Sequence, residues 1–155
     1  MSAAPQRVVF DCVIFAQAII SDSGPAAVCM ELARSGTIRL VLSDYVITEI
    51  RELPSKLPAR LMVTSERVEA FLNDVAPLGE MINDVLEIYQ HPIDPDDSHY
   101  VNLALAASAT LITSRDRHLL DLMDASQPLG CAFRQQFPQL EIVRPEELVR
   151  RVRSA

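Results

Sequence analysis

Arg7-Val8-Val9-Phe10-Asp11 is a short apolar run that ends on a carboxylate, and its reading decides the fold. Consecutive large β-branched and aromatic residues suit a strand buried on both faces, as in a parallel sheet. Ile38-Arg39-Leu40-Val41-Leu42 and Thr110-Leu111-Ile112-Thr113 read as further strands, and Leu140-Glu141-Ile142-Val143 as an edge strand. Helical stretches lie between them. Gly24-Pro25 opens one over 26–35, and Gly36 stops it. Ser43 or Asp44 caps the next, which carries Val46, Ile47 and Ile50 on one face and is closed by Pro54. Residues 54–63 read as a loop or helical turn.

Thr64-Ser65-Glu66-Arg67 has a capping-type start, and Val68, Phe71, Leu72 and Val75 continue it as an amphipathic helix. The stretch 77–90 suggests only a short strand or turn near 85–88. After the acidic loop Asp94-Pro95-Asp96-Asp97, an alanine-rich helix runs to about Ala107. Residues 117–123 read as another helix, and Pro145 opens the last. Strands alternating with helices imply an α/β fold, a three-layer αβα sandwich with a mostly parallel central sheet. With no internal repeat, residues 1–155 read as one domain.

A chain of 155 residues, 49% hydrophobic and 23% charged, can bury a core without disulfides or a structural metal. Cys12, Cys29 and Cys131 are scattered, which argues against a disulfide framework and a zinc knuckle and suits a reducing cytoplasm. The chain begins Met1-Ser2-Ala3-Ala4-Pro5-Gln6-Arg7, and the apolar stretch behind it is broken by Asp11 and Gln17. It is too short to span a bilayer and a poor signal-peptide core, so a cytoplasmic protein without membrane association is expected. The net charge of −7 counts against a stoichiometric nucleic-acid coat protein. It counts less against an enzyme that reaches phosphate through a divalent metal, because such a site needs acidic ligands.

Four acids share a setting. Asp11 ends the first strand, Glu49 lies on the helix after the second, Asp97 opens the alanine-rich helix, and Asp116 follows the 110–113 strand. In an open parallel sheet, ligands gather beyond the carboxyl ends of the strands, which places Asp11 and Asp116 at one crevice with Asp97 and Glu49 within reach. Taken singly, each has an ordinary alternative, a turn, a helix cap or a solvated helix face. Two unit charges ~4 Å apart repel by ~4 kcal/mol at an effective dielectric of ~20. A converged set therefore takes up protons or holds a cation. All-oxygen ligands favour Mg2+ or Mn2+, and a phosphodiester is the natural substrate.

These segments resemble the PIN-domain family, and within it the VapC-like group of toxin components, over nearly the whole chain. Val8-Val9-Phe10-Asp11-Cys12-Val13-Ile14-Phe15 resembles the family's opening strand and first aspartate. Ser43-Asp44-Tyr45-Val46-Ile47-Thr48-Glu49-Ile50 resembles the segment with its glutamate, and Asp94-Pro95-Asp96-Asp97 its third acidic motif. Leu111-Ile112-Thr113-Ser114-Arg115-Asp116 resembles its closing motif. The resemblance implies an Mg2+- or Mn2+-dependent endoribonuclease, often a homodimer, neutralised by an antitoxin protein. It implies that Asp11, Glu49, Asp97 and Asp116 hold metal and the attacking water with Ser114 assisting; Asp94 and Asp96 are second choices. Where the family carries Asn two residues after its first aspartate, this chain has Val13. That change removes a hydrogen-bonding group near Asp11, and such losses typically cost ~10–100-fold in metal affinity or activity. It motivates an alternative, a catalytically weakened PIN-fold module acting through RNA or protein binding.

Other residues read more plainly. His91, His99 and His118 lack metal-ligand spacing and suit surface or capping positions, with His99, two after Asp97, the one to test. Cys12 suits a small buried side chain better than a nucleophile. Arg115 and Arg117 flank Asp116 and read either as phosphate contacts or as solvated charge. Arg150, Arg151 and Arg153 complement a helix C-terminus. The absence of Asp-x-Asp after the first strand and of a glycine-rich phosphate loop disfavours a phosphatase or nucleotide-binding domain.

Overall fold

The computed structural model describes residues 4–154, so Met1-Ser2-Ala3 and Ala155 lie outside the described residues. Five strands, β1 (Gln6–Phe10), β2 (Ile38–Leu42), β3 (Glu80–Met81), β4 (Leu111–Thr113) and β5 (Glu141–Val143), form one sheet in the order β3-β2-β1-β4-β5. Every pairing is parallel, with Val8 opposite Leu40 on one side and Leu111 on the other. Val8, Val9, Phe10, Leu40, Val41, Leu42 and Ile112 are all buried, which explains why the central strands are apolar without alternation.

Helices α1 (Cys12–Ile20) and α2 (Pro25–Arg34) connect β1 to β2; α3 (Asp44–Arg51), α4 (Leu53–Lys56) and α5 (Ser65–Val75) connect β2 to β3. Both crossovers step the same way along the sheet, so right-handed connections put these helices on one face, where α1, α2, α3 and α5 pack on one another. Helix α6 (Ser98–Ala106) returns the chain to β4 in the opposite sense and lies across β1, β2 and β4 on the other face. Helices α7 (Arg117–Leu120) and α8 (Pro128–Gln136) lead to β5, and α9 (Pro145–Ser154) packs against α2. The result is the expected α/β sandwich. The crossover direction reverses between β1 and β4, so their carboxyl ends open a crevice.

Several boundaries differ from expectation. Helix α1 was not foreseen: its apolar face is nearly continuous, with Ile14, Phe15, Ala16 and Ile19 buried, and helical periodicity is lost in such a run. Pro54 does not close α3; it sits in the first turn of α4, where its missing N–H costs nothing. The third strand is at Glu80–Met81, and residues 85–88 carry no regular structure. The helix expected over 117–123 is α7 followed by a 3-10 turn, Asp121–Met123. Helix α8 also went unread; Gly130 lets it approach the preceding turn, where an added Cβ would lie 2.1 Å from the Asp124 carbonyl oxygen. The stop after α2 is as expected, with Gly36 at φ 77°. Among the described residues, no single helix is long and apolar enough to cross a membrane.

Candidate metal centre

Asp11 leaves the end of β1 as the N-cap of α1. Its Oδ1 accepts the Ile14 N–H at 3.2 Å, and its backbone N–H donates to the Thr113 carbonyl at 3.1 Å, extending the β1–β4 ladder by one residue. Across that ladder Ser114 is fully buried, held by its own N–H to the Val143 carbonyl. The Ser114 hydroxyl donates to Asp11 Oδ2 and accepts the Asp116 N–H at 2.8 Å. One hydroxyl thus orients the first carboxylate and fixes the backbone of the last. Asp116 in turn caps α7, its Oδ1 accepting the His118 N–H at 2.7 Å.

Asp97 enters from the start of α6. Among the three acids of its loop it is the buried one, while Asp96 is exposed and Asp94 caps the 3-10 turn through the Asp96 N–H. Asp97 Oδ2 is buried and has no hydrogen-bond partner among the described residues. An orphaned carboxylate oxygen is costly in a folded protein and fits a site shaped to hold a cation. Glu49, on α3, is half-buried and accepts a hydrogen bond from the Tyr100 hydroxyl, whose oxygen in turn accepts the Cys12 N–H at 3.1 Å.

Asp11, Glu49, Asp97 and Asp116 line a single cavity of about 210 Å³ together with Asp94, Asp96, Cys12, Val13 and Tyr100. The expected convergence of the four acids is present. Burial, opposed by the Ser114 hydrogen bond and reinforced by Asp116, pushes the Asp11 carboxyl up to about 6. Burial, with the charges of Asp116, Asp94 and Asp11 adding to it, pushes Asp97 up to about 7. Burial also raises Glu49, against the Tyr100 hydrogen bond. Carboxyls raised in this way hold protons further up the pH scale than free acids, and their all-oxygen donor set suits a hard divalent cation.

Val13, 41% exposed, lines the rim and gives Asp11 no hydrogen bond through its side chain; Ser114 and the Ile14 N–H do that work. Three further residues shape the neighbourhood, of which the sequence singles out only the two histidines, as surface or capping positions. Tyr100 stands one helical turn after Asp97, a spacing that could have flagged it. His118 lies two residues past Asp116, with Nδ1 3.4 Å from Asp94 Oδ2. His91 is neither a surface nor a capping residue: it is 1% exposed, because its ring bridges two backbone segments. His99 instead stacks on Tyr45, ring centroids 3.6 Å apart.

Arg115 is tied up by neighbouring side chains. Its Nε donates to Gln17 Oε1 at 2.7 Å and its other end pairs with Glu146. Arg117 is exposed beside Asp121. Burial and the nearby Glu49 and Asp11 push the Cys12 thiol up to about 12, which removes a thiolate nucleophile from consideration.

A search of curated proteins found no match. Among solved structures, a chain of VapBC2 from Rickettsia felis, crystallised bound to a DNA fragment from their promoter, is similar in fold. Its TM-score is 0.57 at 14% identity, covering 90% of this chain and 98% of that one. A family model described as the PIN domain matches residues 7–118, from the start of β1 through Asp116. The chain belongs to the PIN-domain family.

Proposed function

We propose that this protein is a divalent-metal-dependent endoribonuclease that hydrolyses RNA phosphodiester bonds, the toxin half of a toxin–antitoxin pair. The observation that carries the reading is the meeting of Asp11, Glu49, Asp97 and Asp116 in one cavity, with Asp97 Oδ2 buried and, among the described residues, unpartnered. Membership of the PIN family supports it, and the origin of the structural neighbour in a VapBC complex supports an antitoxin partner. A homodimer in the cytoplasm belongs to the same proposal, the scattered free cysteines suiting a reducing compartment.

Asp11, Glu49, Asp97 and Asp116 would hold Mg2+ or Mn2+ and the attacking water. An ion bound there supplies positive charge against a phosphoryl oxygen and lowers the pKa of an attacking water. Ser114 keeps Asp11 in one orientation and carries the proton of its hydroxyl toward Oδ2, leaving Oδ1 held by the Ile14 N–H. Tyr100 donates to Glu49, so the carboxylate presents its remaining lone pairs to the cavity. Arg115 is committed to Glu146, whereas Arg117 is exposed beside Asp121 and remains open to solvent next to the cavity.

The test is RNA cleavage with Mg2+ or Mn2+ by the wild type, Asp11→Asn and Asp116→Asn, with folding checked by circular dichroism. Loss of cleavage in folded variants is expected; unchanged cleavage removes the site assignment. A second reading is a catalytically weakened module acting through RNA or protein binding, favoured by Val13 at the rim where the family pattern has Asn. RNA binding without cleavage in any divalent ion would select it.

A further inference from the structure

The carboxylate cavity has a nitrogen donor at its edge. His118 Nδ1 lies 3.4 Å from Asp94 Oδ2 and 3.9 Å from Asp116 Oδ1. Asp94, Asp97 and His118 each offer one ligand atom, and the three atoms lie within 4.8 Å of one another. We propose that these three side chains form an imidazole-containing cation position beside the all-oxygen one, selective for a borderline transition ion such as Zn2+ over Mg2+. The proposal rests on the reading of the cavity as a metal site and adds which ions distinguish its two ends.

The chemistry follows from the donors. Imidazole suits Zn2+ and its neighbours, whereas Mg2+ holds to oxygen ligands and water in octahedral geometry. Ligands ~2.1 Å from a tetrahedral centre stand ~3.4 Å apart, so the His118–Asp94 separation already matches one edge of such a site. Three protein ligands leave a fourth position for water. Asp97, shared with the all-oxygen end, adds a buried ligand atom: it is 6% exposed, it lines the cavity, and its Oδ2 has no hydrogen-bond partner among the described residues.

The two loops that carry the ligands are tied together from behind. The buried His91 ring accepts the N–H groups of Ile93 and Asp94 at Nδ1, both at 3.1 Å. That fixes its proton on Nε2, which donates to the His118 carbonyl at 3.0 Å. His91 is thus a positioning residue: it holds the backbone of Asp94 and that of His118 against one another, 24 residues apart in the chain. Asp94 Oδ1 is occupied by the Asp96 N–H, which turns Oδ2 toward His118.

The experiment uses the full chain freed of metal with EDTA. Zn2+ and Mg2+ are titrated separately by calorimetry, and the His118 ring nitrogens are followed by long-range 1H–15N NMR as Zn2+ is added. The His118 side chain is partly exposed, so His118→Ala and His118→Gln are expected to fold. The wild type should show the His118 Nδ1 resonance moving on Zn2+ addition. Both variants should lose at least ~10-fold in Zn2+ affinity and keep Mg2+ affinity within about threefold. An unmoved His118 ring, or equal Zn2+ affinity in the variants, overturns the proposal. If the ring responds to Zn2+ but no divalent ion supports RNA cleavage, the nuclease reading fails and this one stands. Cleavage with an unresponsive His118 gives the converse.

Discussion

Raising the pH should destabilise the metal-free protein, and a divalent ion should reverse the loss. The Asp11 carboxyl is pushed from 3.8 to about 6 in the folded state, first by burial, with Asp116 adding and the Ser114 hydrogen bond opposing. A raised acid means that the folded state holds more protons than the unfolded chain between those values. Its stability is fully present below the unfolded pKa and is lost as pH rises through the folded one. For Asp11 alone the loss is ~3 kcal/mol at ~1.4 kcal/mol per pKa unit. Asp97, raised to about 7, extends the decline toward neutrality. Carboxylates shifted the other way, Glu141, Glu146, Glu147 and Asp124, act at lower pH, since their contribution vanishes only as pH falls below their unfolded values. Urea unfolding followed by circular dichroism, with EDTA, should therefore show falling stability from about pH 5 to about pH 7.5. Mn2+ at ~100 times its dissociation constant should restore ~2.7 kcal/mol at the upper pH and much less at the lower, where protons compete. Asp97→Asn should flatten the upper part of the slope. A metal-free protein whose stability is level or rising over that range would refute the reasoning.

Further expectations concern single side chains. Ser114→Ala leaves Asp11 Oδ2 without its donor, so metal affinity should fall ~10–100-fold with the fold retained, read by calorimetry and by circular dichroism. Tyr100→Phe removes the donor to Glu49 and the acceptor of the Cys12 N–H and should lower stability by ~1–3 kcal/mol in urea unfolding. Gly130→Ala forces a methyl against the Asp124 carbonyl and should cost ~1–3 kcal/mol without changing metal affinity. Val13→Asn restores a polar group at the rim where the family pattern has one. It should raise cleavage by up to ~10-fold if a donor beside Asp11 is what the site lacks.

The elements that surround the site were legible because they obey local rules. β1, β2 and β4 are unbroken apolar runs, Ser43 and Thr64 are caps with a side chain that accepts an N–H three residues on, and Gly36 stops a helix. The two helices that escaped notice break those rules in opposite ways. α1 is too apolar to show a face, and α8 is a short helix whose place depends on the contact Gly130 permits. β3 was misplaced since two residues with one parallel partner leave almost no pattern, and the apolar residues at 85–88 look more strand-like than Glu80–Met81.

The four acids could be chosen from their order along a parallel sheet, but their supports could not. Ser114 was reachable through the closing motif, whereas the contact of Tyr100 with Glu49 spans 51 residues and that of His91 with His118 spans 27. The sequence puts Asp97 ahead of Asp94 and Asp96 by its place in the motif, and the fold adds a physical difference: it buries Asp97, caps a turn with Asp94 and leaves Asp96 in solvent.

The central claim is that Asp11, Asp97 and Asp116 hold one cation between them. Anomalous diffraction from a crystal soaked in Mn2+ measures that directly. The account predicts a peak inside the cavity in direct contact with oxygens of all three carboxylates. A soaked crystal with no peak there, or with Mn2+ bound only on other faces of the protein, would contradict it.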